Sequence, residues 1–257
     1  MCGSVIAASL VVAVVAAAGD QPLVQAAKRN DVAAVRALLK QRANANATEG
    51  DGATALHWAA YHGNVEMLSV LIGGGAKADA ANGLAITPLA IAADNAHAPI
   101  VERLLELGAN PNAASETGVT PLMRAARTGS VAAVRALLSR NANVNAVETE
   151  RKQTALMWAA SQRHPEVVKL LLDRGADVRA RTGVRTLTMM LDQGPPGVKT
   201  AKEHAHQIEA GGSTALLFAA SSGDVECARL LLDRGAGVDD TAADGNSALV
   251  LATCQVG

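Results

Sequence analysis

A seven-residue motif recurs along this chain at a nearly constant interval, and the repeat restricts the possible folds more than any other feature. The copies begin at Thr54, Thr87, Thr120, Thr154, Thr214 and Ser247. They read TALHWAA in the first copy and TPLMRAA in the third, and successive starts lie 33, 33, 34, 60 and 33 residues apart. A degenerate copy, QPLVQAA, begins at Gln21. A period of this length is typical of a linear stack of similar units, so one large globule is disfavoured.

Each unit is predicted to contain two short helices. The motif threonine can cap the first helix, and Pro88 and Pro121 suit the first helical position, where no N–H donor is needed. Cap residues for the second helix occur about ten residues later, at Asp31, Asn64, Ser130 and Asp224. A left-handed residue commonly ends such a helix, and glycine fits this role at Gly75, Gly108, Gly175 and Gly235. Arg42 and Asn141 replace glycine in two units, and because arginine would be strained there, we expect the first unit to end differently.

The motif and its period, together with the GANPNA segment at 108–113, resemble the ankyrin-repeat family. The resemblance extends from about Gln21 to the C-terminus, apart from an insertion at about 182–211. It implies an all-α solenoid of stacked helix–turn–helix units with β-turn or hairpin loops, with units starting near 20, 52, 85, 118, 152 and 212 and a partial unit from 245. The family's motif histidine occurs only as His57, so we expect this array to depend mainly on aliphatic contacts.

Composition agrees with thin, stacked layers. Hydrophobic residues make up 49% of the chain but aromatic residues only 2%, so small aliphatic side chains must form the core. The net charge of -1 argues against a nucleic-acid partner, which requires clustered excess cations. The partial unit from 245 contains only a first helix, which is either a cap or the start of a unit that the natural chain completes; we expect the latter.

The first 19 residues contain no charged side chain and are predicted to be a secretory signal peptide. The apolar run is shorter than the roughly 20 residues that a membrane-spanning helix needs. We therefore expect a periplasmic or extracellular protein. An uncleaved membrane anchor and a buried apolar helix are the alternatives.

One row of residues, four positions after each motif start, is a candidate partner-binding surface. The row consists of Trp58, Ile91, Arg124, Trp158, Phe218 and Leu251. The resemblance implies that this row lies toward the concave side, where family members contact partners, and tryptophan often dominates interface energy. The alternative is that these side chains fill gaps between first helices.

A second candidate row lies at the end of each first helix and includes Tyr61, His62, Asp94 and Arg127. Its varied chemistry fits contacts with different parts of a partner, and also fits exposed positions that nothing constrains. Arg124 and Arg127 together would offer a basic spot to an acidic partner segment, the alternative being ordinary solvated charge.

The insertion is predicted to form an extended finger beside the stack. Its first part, VRTLTMML, favours a strand, and Gly194-Pro195-Pro196-Gly197 favours a turn. The remainder would return as a strand or a short helix. The finger either binds a partner or is a tolerated decoration. It contains Glu203, His204 and His206, but two histidines without further ligands are weak evidence, so no metal site is predicted.

The sequence contains none of the common catalytic or nucleotide-binding motifs, including GxSxG, HExxH, GKS or GKT, and CxxC. We therefore expect a non-catalytic scaffold that binds another protein, with no cofactor, no nucleic acid and no small-molecule substrate. Two alternatives stay open. The chain could be the targeting module of a longer enzyme, or a purely structural spacer.

Overall fold

The computed structural model describes residues 22–190 and 205–253. Four features predicted from the sequence lie outside these residues: the signal peptide at 1–19, the turn at 194–197, Glu203 and His204. No helix within the described ranges is long and apolar enough to cross a membrane.

Six helix pairs and one further helix make up most of the described chain. Their bounds are α1 (Pro22–Lys28), α2 (Val32–Lys40), α3 (Ala55–Tyr61), α4 (Val65–Gly73), α5 (Pro88–Asp94), α6 (Ala98–Glu106), α7 (Pro121–Thr128), α8 (Val131–Ser139), α9 (Ala155–Ser161), α10 (Pro165–Asp173), α11 (Ala215–Ser222), α12 (Val225–Asp233) and α13 (Ala248–Thr253). Within each pair the two helices pack together, and each first helix also packs against the first helix of the next unit. The predicted solenoid of stacked helix pairs is confirmed.

Helix capping follows the sequence motif. The Oγ1 atoms of Thr87, Thr120 and Thr154 accept hydrogen bonds from the backbone N–H three residues later. Asp31, Asn64 and Asp224 cap second helices in the same way, whereas Ser130 occupies the cap position without a side-chain bond. These bonds satisfy donors that the first turn of a helix leaves free, so they fix where each helix begins.

The expectation that the first unit ends differently is wrong. Arg42 has φ 64°, in the same left-handed region as Gly75 at 91°. The Arg42 N–H donates to Leu39 O at 2.9 Å, and the Ala43 N–H donates to Leu38 O at 3.0 Å. These two backbone bonds offset the strain of a non-glycine residue, because they satisfy carbonyl groups that the helix end would otherwise leave unpaired.

The core consists of small and medium aliphatic side chains in thin layers between units. Ala59, Ala60, Ala159 and Ala160 are fully buried. Their small side chains allow neighbouring helices to approach closely, as expected from the sequence. Leucine and methionine fill the remaining space, and the second residue after each complete motif start is a buried leucine. Burial of these side chains by neighbouring units is the main stabilising term.

The insertion leaves the stack without interrupting it. Strands β1 (Arg185–Met190) and β2 (Ala205–Ala210) pair antiparallel, from Arg185 opposite Ala210 to Met190 opposite Ala205. The predicted strand is confirmed, and the returning segment is a strand rather than a helix over 205–210. Meanwhile α9 packs directly on α11, and α10 on α12, as in neighbouring units. The pair β1–β2 is called the finger below.

Candidate protein-binding surface

The row of residues four positions after each motif start lies at the edge of the core. All six side chains of this first-helix row are half-buried: Trp58, Ile91, Arg124, Trp158, Phe218 and Leu251. Of these, Trp58, Ile91, Trp158 and Phe218 pack against the buried core. These four residues are therefore held by the array and still present part of their surface to a partner.

Trp58 is fixed by two charged residues. Its indole Nε1–H donates to Glu49 Oε1 at 2.8 Å, and the Lys28 amino group lies 4.7 Å from the ring centroid. Lys28 Nζ also lies 3.5 Å from Glu49 Oε2, so the two charges compensate each other. A cation over the indole face and an acceptor at its N–H restrict the orientation of the ring before any partner arrives.

Tyr61 and His62 extend the Trp58 site into an aromatic cluster. The Tyr61 ring meets the Trp58 ring edge-on, with centroids 5.7 Å apart, and the Tyr61 side chain is exposed. The His62 ring lies 5.4 Å from the Tyr61 ring, and His62 Nε2–H donates to the Lys28 carbonyl at 3.0 Å. Three residues that the sequence assigned to two rows thus form one surface.

Trp158 repeats this arrangement three units further along the array. Its indole N–H donates to Gln153 Oε1 at 3.0 Å, and the Arg127 guanidinium lies 5.7 Å from the ring centroid. In both sites the cation comes from the end of the preceding first helix. Each tryptophan is therefore oriented by a cation from the unit before it and by a hydrogen-bond acceptor at its N–H, although Glu49 and Gln153 are not equivalent positions of the repeat.

The predicted basic spot contains its own carboxylate. Arg124 Nη1 lies 3.1 Å from Asp94 Oδ2, and Arg127 Nη2 lies 2.5 Å from Asp94 Oδ1. Asp94 belongs to the preceding unit, so the three side chains also tie two units together. Two guanidinium groups facing one carboxylate retain excess positive charge, and recognition of an acidic segment here stays a prediction.

Phe218 and Leu251 line a cavity of about 150 Å³ between the sixth unit and α13, together with Leu217 and the polar residues Asp244 and Asn246. Ile91 lies in the row between the two tryptophan sites. The structure thus brings Trp58, Tyr61 and His62 together, and likewise Asp94, Arg124, Arg127 and Trp158. Phe218 lines the cavity beside α13.

Three histidines make contacts that the sequence did not reveal. His62, His97 and His164 each donate from Nε2 to a backbone carbonyl of the unit before their own, at distances of 3.0 to 3.1 Å. The acceptor lies at or near the end of that unit's first helix. The hydrogen bonding expected to be missing with the motif histidine is therefore supplied partly from other positions. The recurrence of histidine before Ala98-Pro99 and Pro165, at the caps of two second helices, was the signal available in the sequence.

His57 is a buried structural residue. Its Nδ1 accepts from the Thr54 N–H at 3.0 Å, and its Nε2–H donates to the Ile86 carbonyl at 3.0 Å, which fixes the neutral tautomer. Burial lowers the pKa of His57 from 6.5, against opposing effects of the Ile86 hydrogen bond and Asp51. The ring therefore remains neutral in the folded state to a lower pH than in the unfolded chain.

We expect the free energy of unfolding to decrease as the pH falls below about 6.5, because the unfolded chain then binds a proton that folded His57 does not. One such proton contributes at most about 1.4 kcal/mol per pH unit. Urea unfolding followed by circular dichroism between pH 7.5 and 5.5 measures this slope. His57→Gln should reduce the slope, and equal slopes in His57→Gln and the parent chain would contradict the assignment.

The chain belongs to the ankyrin-repeat family. The family model for ankyrin repeats (3 copies) matches residues 23–115, 89–182 and 187–257. Ankyrin repeats are in general protein–protein interaction modules, and their fold is typically non-catalytic.

Among individual proteins, the chain is similar to the human Ankyrin repeat and KH domain-containing protein 1, with 38% identity over 109 residues. It is also similar to the Drosophila melanogaster Ankyrin repeat and KH domain-containing protein mask, with 40% identity over 111 residues. These matches cover 39% and 40% of this chain but only 4% and 3% of the relatives. The crystal structure of the human ASB11 ankyrin repeat domain superposes with a TM-score of 0.72 and 28% identity, over 91% of this chain and 92% of that one.

Proposed function

We propose that this chain is a non-catalytic scaffold that binds a partner protein through the first-helix row, on the concave side of the array, with the finger edge as a second contact. The observation that carries the proposal is the paired tryptophan arrangement, in which each indole is oriented by a cation and a hydrogen-bond acceptor. Aromatic anchors held in one orientation lose little conformational entropy on binding, so they favour affinity.

The chemistry of the surface indicates the kind of partner segment. Around Trp58 the exposed Tyr61 and half-buried His62 offer aromatic and hydrogen-bonding contacts. Around Trp158 the two arginines retain excess positive charge over Asp94. We infer a partner segment that places apolar side chains against both indoles and an acidic group near Arg127. The finger adds Leu187 and Ile208, which lie opposite each other and are exposed.

Replacing both anchors tests the proposal. We expect Trp58→Ala combined with Trp158→Ala to reduce partner recovery at least ~10-fold, in line with the loss of two aromatic anchors. Because the unprocessed chain is expected to be exported, proteins of the exported compartment are the prey, and quantitative mass spectrometry is the readout.

The matched control is Val65→Ala combined with Val225→Ala, two exposed aliphatic residues at the start of second helices, which should leave recovery unchanged. Circular dichroism establishes that both double variants remain folded. Equal recovery by the tryptophan variant and the parent chain would overturn the assignment of the first-helix row.

A further inference from the structure

The finger is a two-stranded sheet, so each of its strands is an edge strand. The strands β1 and β2 pair with each other, and within the described ranges their main contacts are also with each other. The outward side of an edge strand carries backbone N–H and C=O groups that an extended segment of another chain can pair with. The finger therefore offers two positions for an added strand.

Backbone hydrogen bonds between hairpin tips show on which side of the finger β1 lies. The Thr149 N–H donates to Thr117 O at 2.9 Å, which joins the tips of two neighbouring units, and the Gly183 N–H donates in the same way to Arg151 O at 2.7 Å. Strand β1 thus begins beside the tip of the preceding unit. Among the described residues, 184–188 make no backbone hydrogen bond other than those to β2. A strand added to β1 would lie directly outward of Arg151 and continue this row of bonds.

The two edges differ in charge. Strand β1 is uncharged from Thr186 to Met190, and its threonines favour an extended backbone. Strand β2 contains Glu209, and the hairpin tip on its side contains Asp244. Because charged side chains along an edge oppose the addition of a strand, β1 is the better edge for a partner.

Alternation along the finger defines the side chains that an added strand should carry. Leu187 and Ile208 lie opposite each other on one face and are 41% and 42% exposed. Thr186 and Glu209 lie opposite each other on the other face. Because side chains on one face of a sheet pack against their neighbours, an added strand should place apolar side chains beside Leu187 and polar ones beside Thr186.

The hairpin tip beside β1 is fixed by hydrogen bonds. The Glu148 carboxylate is buried and accepts from three backbone N–H groups of its own loop, at 2.7 to 2.9 Å. The Lys152 side chain lies against the start of β1, since its Cγ would be 3.3 Å from a Cβ placed on Gly183. The tip therefore holds the backbone of Arg151 and Lys152 in a defined position at the base of the edge.

Three exposed cations lie at this base: Arg151, Lys152 and Arg185. None of them forms an ion pair with a described residue. With the exposed Glu150 beside them, the exposed charge of the group is still positive. Strand β1 proceeds away from the tip, so a strand antiparallel to it would end at the cations with its C-terminal residues. Carboxylates at that end would complement the cations.

We propose that the outer edge of β1 accepts an extended segment of the partner protein as a third, antiparallel strand. The segment alternates apolar and polar side chains and carries carboxylates at its C-terminal end, against Arg151, Lys152 and Arg185. This inference rests on the proposed function, to which it adds the chemistry of the finger contact. A second copy of β1 is a poorer occupant, because residues 185–190 include a cation and no carboxylate.

The fluorescently labelled peptide TVTVTVEE serves as the probe. We expect it to bind the full 257-residue chain saturably, as measured by anisotropy. A variant that lacks residues 184–210 should lose this binding, and circular dichroism establishes that its helical array is intact. Absence of saturable binding, or equal binding by the deletion variant, would overturn the proposal. Either result leaves the first-helix row untouched, because the tryptophan variants test that row separately.

Backbone pairing is tested by two N-methylated forms of the peptide, one methylated on the valine nitrogens and the other on the threonine nitrogens. The N–H groups of successive residues point to opposite sides of a strand, so only one form loses the groups that face β1. That form should lose binding while the other retains it. Equal affinities of the two forms would show that the peptide does not bind as a strand and would overturn the proposal.

Charge reversal tests the direction of the strand. Arg151→Glu combined with Lys152→Glu should weaken binding of TVTVTVEE several-fold, and TVTVTVKK should bind this variant better than it binds the parent chain. The matched control is Arg135→Glu combined with Arg140→Glu, the same charge change at exposed positions of α8 and its C-terminal cap, which should leave binding unchanged. Equal effects of the two double variants would overturn the assignment of the cations.

Sedimentation of the chain alone tests the other occupant. We expect no association that depends on the finger. Self-association that is lost in the variant lacking residues 184–210 would assign the edge to a second copy and would also overturn the proposal.

Discussion

Leu122→Ala is expected to lower the free energy of unfolding by about 2–5 kcal/mol, whereas Leu249→Ala should change it by less than about 0.5 kcal/mol. The two leucines occupy the same position of the repeat, but Leu122 is 1% exposed and Leu249 is 75% exposed. Truncation of Leu122 removes apolar contacts and leaves a cavity between close-packed units, while truncation of Leu249 removes atoms that already contact water.

Urea unfolding monitored by circular dichroism measures both changes as shifts of the midpoint, provided that the slope of the transition is unchanged. Because helix propensity and side-chain chemistry are matched, the difference between the two variants reports burial alone. Equal destabilisation by the two substitutions would contradict the packing described for the interior units.

Gly129→Ala should destabilise the array by about 2–4 kcal/mol, of which about 1 kcal/mol is left-handed backbone strain. Gly129 has φ 73°, and an added Cβ would lie 2.6 Å from atoms of the His164 ring. That ring is held by the hydrogen bond from His164 Nε2 to the Arg127 carbonyl, so moving it breaks a contact between units.

Gly108→Ala is the matched control, because Gly108 has φ 86° and an added Cβ would meet no atom within 4 Å. It should show the strain without the collision. Combining Gly129→Ala with His164→Ala removes the collision, so the double variant should be less destabilised than the sum of the single changes. Strict additivity in thermal and urea unfolding would show that the ring and the glycine do not interact.

The repeat predicts the fold well because its signals are local. The motif threonines, the prolines after them and the aspartate or asparagine caps act within one turn of a helix, so sequence spacing is sufficient to place them. The strand at Arg185–Met190 was predictable for the same reason, from its β-branched residues. Arg42 was the error, since backbone hydrogen bonds of the helix end outweighed the preference for glycine.

The binding surface was less predictable because its contacts join different units. Pairing of Asp94 with Arg124 and Arg127 depends on the stacking offset between neighbouring units, which spacing along the chain does not give. The cations over Trp58 and Trp158 depend on the same offset. Likewise, the bonds of His97 and His164 reach back 36 and 37 residues. Position in the repeat identified Trp58, Asp94, Arg124, Arg127 and Trp158 as candidates but not His97 or His164, and only the packed array shows the partners of all of them.

The two ends of the insertion lie next to each other at the base of the finger. Thr182 and Ser213 are joined by a backbone hydrogen bond of 3.0 Å, and Gly211 is so near Gly183 that a Cβ on it would lie 2.0 Å from the Gly183 oxygen. Residues 184–210 number 27, which equals the excess over the 33-residue period. Joining Gly183 to Gly211 would thus recreate an ordinary loop, and the same junction can accept a foreign segment while the helices on either side keep their stacking. The base of the finger is thus a position where the length of the chain can change without changing the helical array.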